Sequence, residues 1–120
     1  MYKDFSGSVQ ISECKNSLNE LEEPLIKLTK VFNLAGNSVR MIILFLLYKE
    51  KEMCPCDLSD ILNISVGGIS QHLRKLKDGG IIKDKKVGQT VFYSLVDENI
   101  EVLQLMLTSL LKLNREKILS

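Results

Sequence analysis

The chain is 120 residues long, which fits one domain with a small core, and carries 45% apolar residues, 26% charged residues and a net charge of +1. The longest apolar run, Met41 to Tyr48, covers eight residues against the ~18 that span a bilayer, and no basic-then-apolar leader opens the sequence. No helical membrane span is expected, the chain is expected in the cytoplasm, and its three cysteines are expected as reduced thiols rather than a disulfide scaffold.

Residues 1–16 show no clear period and are expected as a flexible arm carrying Cys14, ahead of a domain over 17–120. Pro24 suits the first turn of a helix over 24–34, along which Leu25, Leu28 and Phe32 recur at helical spacing. Gly36-Asn37-Ser38 breaks that helix and offers Asn37 or Ser38 as the next N-cap. Val39 to Tyr48 is apolar almost all round, which predicts a buried central helix with Arg40 as its one charge. After a charged connector, Lys49 to Met53, comes a short helix over Asp57–Leu62 with Leu58, Ile61 and Leu62 inward. Asn63-Ile64 turns the chain, Ser65 caps a second helix, and Gly79-Gly80 ends it, giving a helix-turn-helix over 56–79. Ile81 to Lys85 and Thr90 to Leu95 alternate as strands around a turn at Lys86–Gln89, a basic hairpin over 81–95. Asp97 caps a last helix over 98–119, on which Ile100, Leu103, Leu107, Leu110 and Leu111 keep the helical period. Leu105, Met106 and Leu113 widen its apolar face enough to pack on a partner chain as well as on its own core. The fold class expected is mainly α with a small β-hairpin.

Nucleic-acid binding needs a local basic surface, not a basic total. Gln71 to Gln89 holds six basic residues (Arg74, Lys75, Lys77, Lys83, Lys85, Lys86) and two acidic ones (Asp78, Asp84). With Ile69, Leu73 and Leu76 on the core side of the second helix, Gly67, Gln71 and Arg74 point away and Ser70 and Lys75 flank them. Gln71 suits adenine and Arg74 guanine in the major groove, or either suits phosphate. Ser65 and the free amides at the helix start suit a phosphate. Lys85, Lys86 and Gln89 at the hairpin tip are expected to reach the neighbouring backbone or the minor groove. Gly67 and Gly68 sit where side chains usually enter the groove, permitting either a close backbone approach or a looser helix start. The bland alternative is a solvated helix face beside a surface hairpin. No enzyme and no organic substrate are expected, because the single histidine, His72, falls within the reading helix and no other base accompanies the thiols.

Residues two apart on a helix lie ~200° apart, so two thiols at that spacing would not share an ion. Pro55, between Cys54 and Cys56, pushes Cys54 out of the α region and itself suits a helix's first position. Cys54 then lies just outside the helix and Cys56 inside its first turn, where both sulfurs converge. The helix N-terminus favours thiolate, and thiolates select soft ions. The pair supplies two ligands, and Cys14, forty residues upstream of Cys54, is the remaining thiol, in the same chain or across to a partner. Both residues would also serve as small buried apolar positions, with Cys14 a bystander.

Four stretches resemble the ArsR/SmtB family of dimeric winged-helix repressors. They are Leu34-Ala35 through Arg40-Met41-Ile42, Met53-Cys54-Pro55-Cys56-Asp57-Leu58, Ile69-Ser70-Gln71-His72-Leu73-Arg74-Lys75-Leu76, and Gly88-Gln89-Thr90-Val91-Phe92-Tyr93-Ser94-Leu95. They cover about half the chain, in order and at family spacing. The resemblance implies a winged helix-turn-helix, a homodimer through the first and last helices, and an inverted-repeat operator bound until an inducer ion releases it. No permanently bound cofactor is expected. The pair Cys54 and Cys56 is similar to the site of the arsenic and the cadmium/lead sensors. The arsenic type often carries a third cysteine where this chain has Ser59, and the cadmium/lead type recruits N-terminal cysteines, of which Cys14 is the one present. The resemblance therefore implies a hybrid site, Cys14-Cys54-Cys56. Three sulfurs suit As(III) or Sb(III), and also Hg(II) or Pb(II), while Cd(II) takes a fourth ligand. A thiol switch driven by oxidants or sulfur species is the alternative on the same fold.

Overall fold

The computed structural model describes residues 5–119. The elements in chain order are α1 (Phe5–Ala35), α2 (Ser38–Glu50), β1 (Glu52–Met53), α3 (Pro55–Leu62), α4 (Val66–Asp78), β2 (Ile82–Val87), β3 (Thr90–Leu95), a 3₁₀ turn at Asp97–Asn99 and α5 (Ile100–Leu119). Among the described residues, those up to Lys30 make one unit and those from Val31 onward another. Among the described residues no single helix is long and apolar enough to cross a membrane.

The first unit corrects two expectations. Met1 to Asp4 of the expected flexible arm lie outside the described residues, and from Phe5 onward the arm is helical, Cys14 included. Pro24 lies inside α1 rather than at its start. The pattern that accounts for both is a repeat of three and four: Ile11, Cys14, Leu18, Leu21, Leu25, Leu28 and Phe32 fall on one stripe, and the proline does not shift its phase. A helix-interior proline costs about 3 kcal/mol and one hydrogen bond, here the one to the Glu20 carbonyl. The apolar members of this stripe are exposed in the chain, Leu18 at 61% and Leu21 at 53%. Isolated helices draw most of their stability from packing such a face, so this one calls for a covering surface.

In the second unit the core is built by Val31, Ala35, Ile43, Leu44, Leu47, Met53, Leu58, Ile69, Leu73, Leu76, Ile81, Ile82, Leu95 and Leu103. Asn37 is the N-cap of α2, its side-chain oxygen accepting the Arg40 amide at 3.1 Å. Arg40, the one charge of that helix, donates from Nε to the Leu34 carbonyl at 2.6 Å and so satisfies an open carbonyl at the end of α1. The hairpin register runs from Ile82 opposite Leu95 to Val87 opposite Thr90, leaving a two-residue turn in which Gly88 takes φ +64°. The connector expected at Lys49–Met53 contains a strand: β1 pairs antiparallel with β3, Glu52 opposite Ser94 and Met53 opposite Tyr93, giving a sheet ordered β1-β3-β2. At the end of α4, Gly80 takes φ +77° and the Ile81 amide returns to the Leu76 carbonyl. Gly79 is needed for a different reason, because a side chain there would collide with Leu34. The chain is thus mainly helical with a small antiparallel sheet, a winged helix-turn-helix.

Candidate functional site

The thiol pair stands where the sheet hands the chain to the helix-turn-helix. Met53 is buried and pinned to Tyr93, and Cys54 follows at φ −93°, ψ 159°, an extended residue acting as N-cap of α3. Pro55 is the first helical residue, as its preset φ favours. Cys54 makes no side-chain capping hydrogen bond, so its thiol is not spent on the helix. Cys54 is half-buried and Cys56, in the first turn, is exposed. Asp57 shares that turn and suits the positive end of the helix. Cys14 is exposed on α1. Among the described residues, no three His, Cys, Asp or Glu side chains form a group able to hold a metal ion.

The eight residues of α3 bury Leu58 fully, while Leu62 is half-buried. Ile61, expected inward, is 56% exposed, because the buried stripe runs through positions four apart and Ile61 falls to its side. Asn63 closes the helix in the left-handed region at φ 57°, its amide bonded to the Ser59 carbonyl. The Ser59 hydroxyl donates to the Ile64 carbonyl. Ser65 then caps α4, its Oγ accepting the Gly68 amide at 3.1 Å, a contact worth about 1 kcal/mol.

On α4, Ile69, Leu73 and Leu76 are buried, and Gly67, Ser70, Gln71, Arg74 and Lys75 are exposed beside Ser65. The two glycines at the helix start have separate causes. A side-chain carbon at Gly68 would meet Ile64 Cγ2 at 3.0 Å and Ser65 Oγ at 3.3 Å, whereas one at Gly67 meets nothing within 4 Å. A side chain at Gly68 would press on Ile64 and on the Ser65 cap, whereas Gly67 leaves space in front of the helix. His72 is partly buried, and its pKa is held below 6.5 by that burial first and then by the charges of Arg40 and Lys75.

The hairpin places its basic residues differently from expectation. Lys85 and Lys86 lie within β2, opposite Phe92 and Val91, and so point to opposite faces of the wing; of the three expected at the tip, only Gln89 sits in the turn. The strand runs on through Val87 because a two-residue turn suffices once Gly88 supplies the positive φ. Lys77, counted in the basic stretch, is tied to Asp84 of β2 at 2.7 Å. The hydrogen bond from Lys77 to Asp84, then the carboxylate charge, raises the lysine's pKa. Sequence reasoning missed this link, since Lys77 and Asp84 become neighbours only when the wing folds back on α4.

Known proteins bear on this arrangement. Residues 37–84 match the family described as bacterial regulatory protein, arsR family. A cadmium resistance transcriptional regulatory protein, CadC homolog, of Staphylococcus aureus is 37% identical over 108 residues, covering 86% of this chain and 88% of its own length. An arsenic resistance transcriptional regulator of Pseudomonas putida is 34% identical over 86 residues, 72% of this chain and 67% of its own. Among solved structures, the transcriptional regulator HlyU of Vibrio vulnificus is similar at a TM-score of 0.68 and 30% identity, over 78% of this chain and 97% of that one.

Proposed function

The chain belongs to the ArsR/SmtB family of metal-responsive winged-helix transcriptional repressors, and on that premise we propose that it is released from an operator when a thiophilic ion binds Cys54 and Cys56. The observation that carries this reading is the placement of those thiols. They occupy the N-cap and first turn of the helix that leads, through a three-residue turn, into the helix with the exposed Gln71-Arg74-Lys75 face. Ser65 and the amides of the α4 start hold a phosphate, Gln71 and Arg74 address base edges, and Ser70 and Lys75 flank them. Gly67 lets the backbone approach the DNA. Lys85, Lys86 and Gln89 on the wing meet the adjoining phosphates.

The operator reading requires two copies, and two faces support a homodimer. One is the exposed apolar stripe of α1. The other is α5, where Leu105, Leu110, Leu111 and Leu113 are exposed beside an apolar cleft of about 330 Å³ against α2, lined by Phe45, Tyr48, Leu107 and Leu111. Cys14 falls on the α1 stripe itself, so a partner that covers the stripe meets this thiol. We take the third thiolate of the ion site to be Cys14 of the partner subunit.

Three thiolates suit As(III) or Sb(III), which take three sulfurs in a pyramid. Cd(II) is the second reading, favoured by the cadmium regulator whose length the chain nearly spans. The test is a titration of reduced protein with As(III), Sb(III), Cd(II), Pb(II) and Hg(II), following thiolate charge-transfer absorbance and release of fluorescent DNA from the region upstream of its own gene. The inducer is the ion whose thiolate absorbance and DNA release saturate together. If every ion leaves the protein on DNA, the sensor reading is wrong. If peroxide or persulfide alone releases it, the thiols are a redox switch.

A further inference from the structure

The hydrogen bond between Ser59 and Ile64 ties α3 to the turn that leads into α4. Ser59 lies one helical turn beyond Cys56, and its hydroxyl donates to the Ile64 carbonyl in a half-buried setting. In return the Ile64 amide bonds to the Ser59 carbonyl at 3.3 Å. Ile64 is clamped on its other side as well. Its Cγ2 fills the space in front of Gly68, and it directly precedes Ser65, whose Oγ holds the Gly68 amide. Among the described residues, no other α3 side chain makes a hydrogen bond. Leu58 of α3 and Leu73 of α4 are both buried in the same apolar core. Apolar contact is non-directional and lets one helix slide on another, whereas a hydrogen bond weakens steeply with misalignment.

We infer that Ser59 is the positioning residue that couples the thiol pair to the DNA-reading helix, by passing any displacement of α3 to Ile64 and thence to the cap of α4. This rests on the sensor reading above. It also gives a reason for a serine where a third thiol would complete a local site: the hydroxyl is already bonded across the turn.

The test compares wild type, Ser59→Ala, Ser59→Thr and Cys54→Ser as full-length proteins, using As(III) and, in parallel, Cd(II) as the added ion and fluorescent DNA from the region upstream of its own gene. Wild type should lose affinity on adding ion by a factor in the range of ~5–150. Ser59→Ala should bind the ion with wild-type thiolate absorbance and bind DNA without ion within a few-fold, yet lose less than about a third of that factor's logarithm on adding ion. Ser59→Thr should restore the full response, and Cys54→Ser should show neither absorbance nor release. A Ser59→Ala protein that is released as fully as wild type overturns the coupling and leaves the sensor reading standing. A wild type that no ion releases overturns both. Should Ser59→Ala fail to fold, hydrogen exchange on the wild type decides. Ion binding should speed exchange of the Ile64 amide, and an unchanged Ile64 amide overturns the inference.

Discussion

The two places where this chain carries thiols are built in opposite ways. From Met53 to Ser65 the chain is held by local devices: a strand pair at Met53, an extended Cys54, a proline at the first helical position, a left-handed Asn63 and the Ser59–Ile64 bond. Cys14 has none of these. It sits in regular helix, on a stripe of exposed apolar residues, and nothing in its own sequence neighbourhood specifies what it meets. The contrast separates two jobs that a metal site needs. Ligand geometry is supplied by covalent and backbone rules within a dozen residues. Ligand number, in the reading proposed above, is supplied by assembly, with a covering chain bringing the third sulfur to the pair.

The comparison breaks most visibly at the stripe. Leu21→Glu puts a charge in its centre and should shift the protein toward monomer in sedimentation equilibrium. Losing the second half-site contact should weaken operator binding by at least ~100-fold, the range that linking two sites supplies. A dimer that survives Leu21→Glu with full operator affinity would show that the stripe is not the joining face.

Pro55→Ala tests the other side of the contrast. Removing the ring should cost about 0.4–1 kcal/mol of stability, by restoring freedom to the unfolded chain. It should also weaken ion binding more than operator binding, since Cys54 is no longer held out of the helix. Urea unfolding and thiolate absorbance measure the two effects. Equal ion affinity in Pro55→Ala would mean that β1 alone places Cys54.

The smallest effect concerns His72 on α4, which belongs to neither region. Its folded pKa is lowered, so its contribution to stability is fully present above the unfolded value of 6.5 and is lost as pH falls from there through the lowered folded value. Thermal melts of wild type should therefore drop more between pH 7.5 and pH 5.5 than those of His72→Gln. Parallel curves would show that the imidazole contributes nothing to this window.

The same division explains what could be read from the residues alone. Cys54 outside the helix, Pro55 at its first position and Cys56 within its first turn follow from backbone preferences, and the structure has that geometry. The caps at Asn37 and Ser65 and the glycine stop at Gly80 were legible for the same reason. β1 was not, because two residues carry no period and their pairing partner lies some forty residues away. The unbroken α1 was hidden by Pro24, which signals a helix start, although the stripe keeps its phase through it. Ser59 reads in the sequence only as the place where a third cysteine is missing, since its hydrogen bond exists only once the turn at Asn63 has formed.

The central claim, that the ion joins Cys54 and Cys56 of one chain to Cys14 of the partner subunit, is tested most directly by mixed dimers. One chain carries Cys14→Ser and the other carries Cys54→Ser and Cys56→Ser. If the site is shared between chains, each mixed dimer regains one whole three-thiol site, and ion absorbance returns to about half the wild-type amplitude although neither parent homodimer has a complete site. If mixed dimers show no more absorbance than the average of the two parents, Cys14 does not complete the site across the dimer and the account is contradicted.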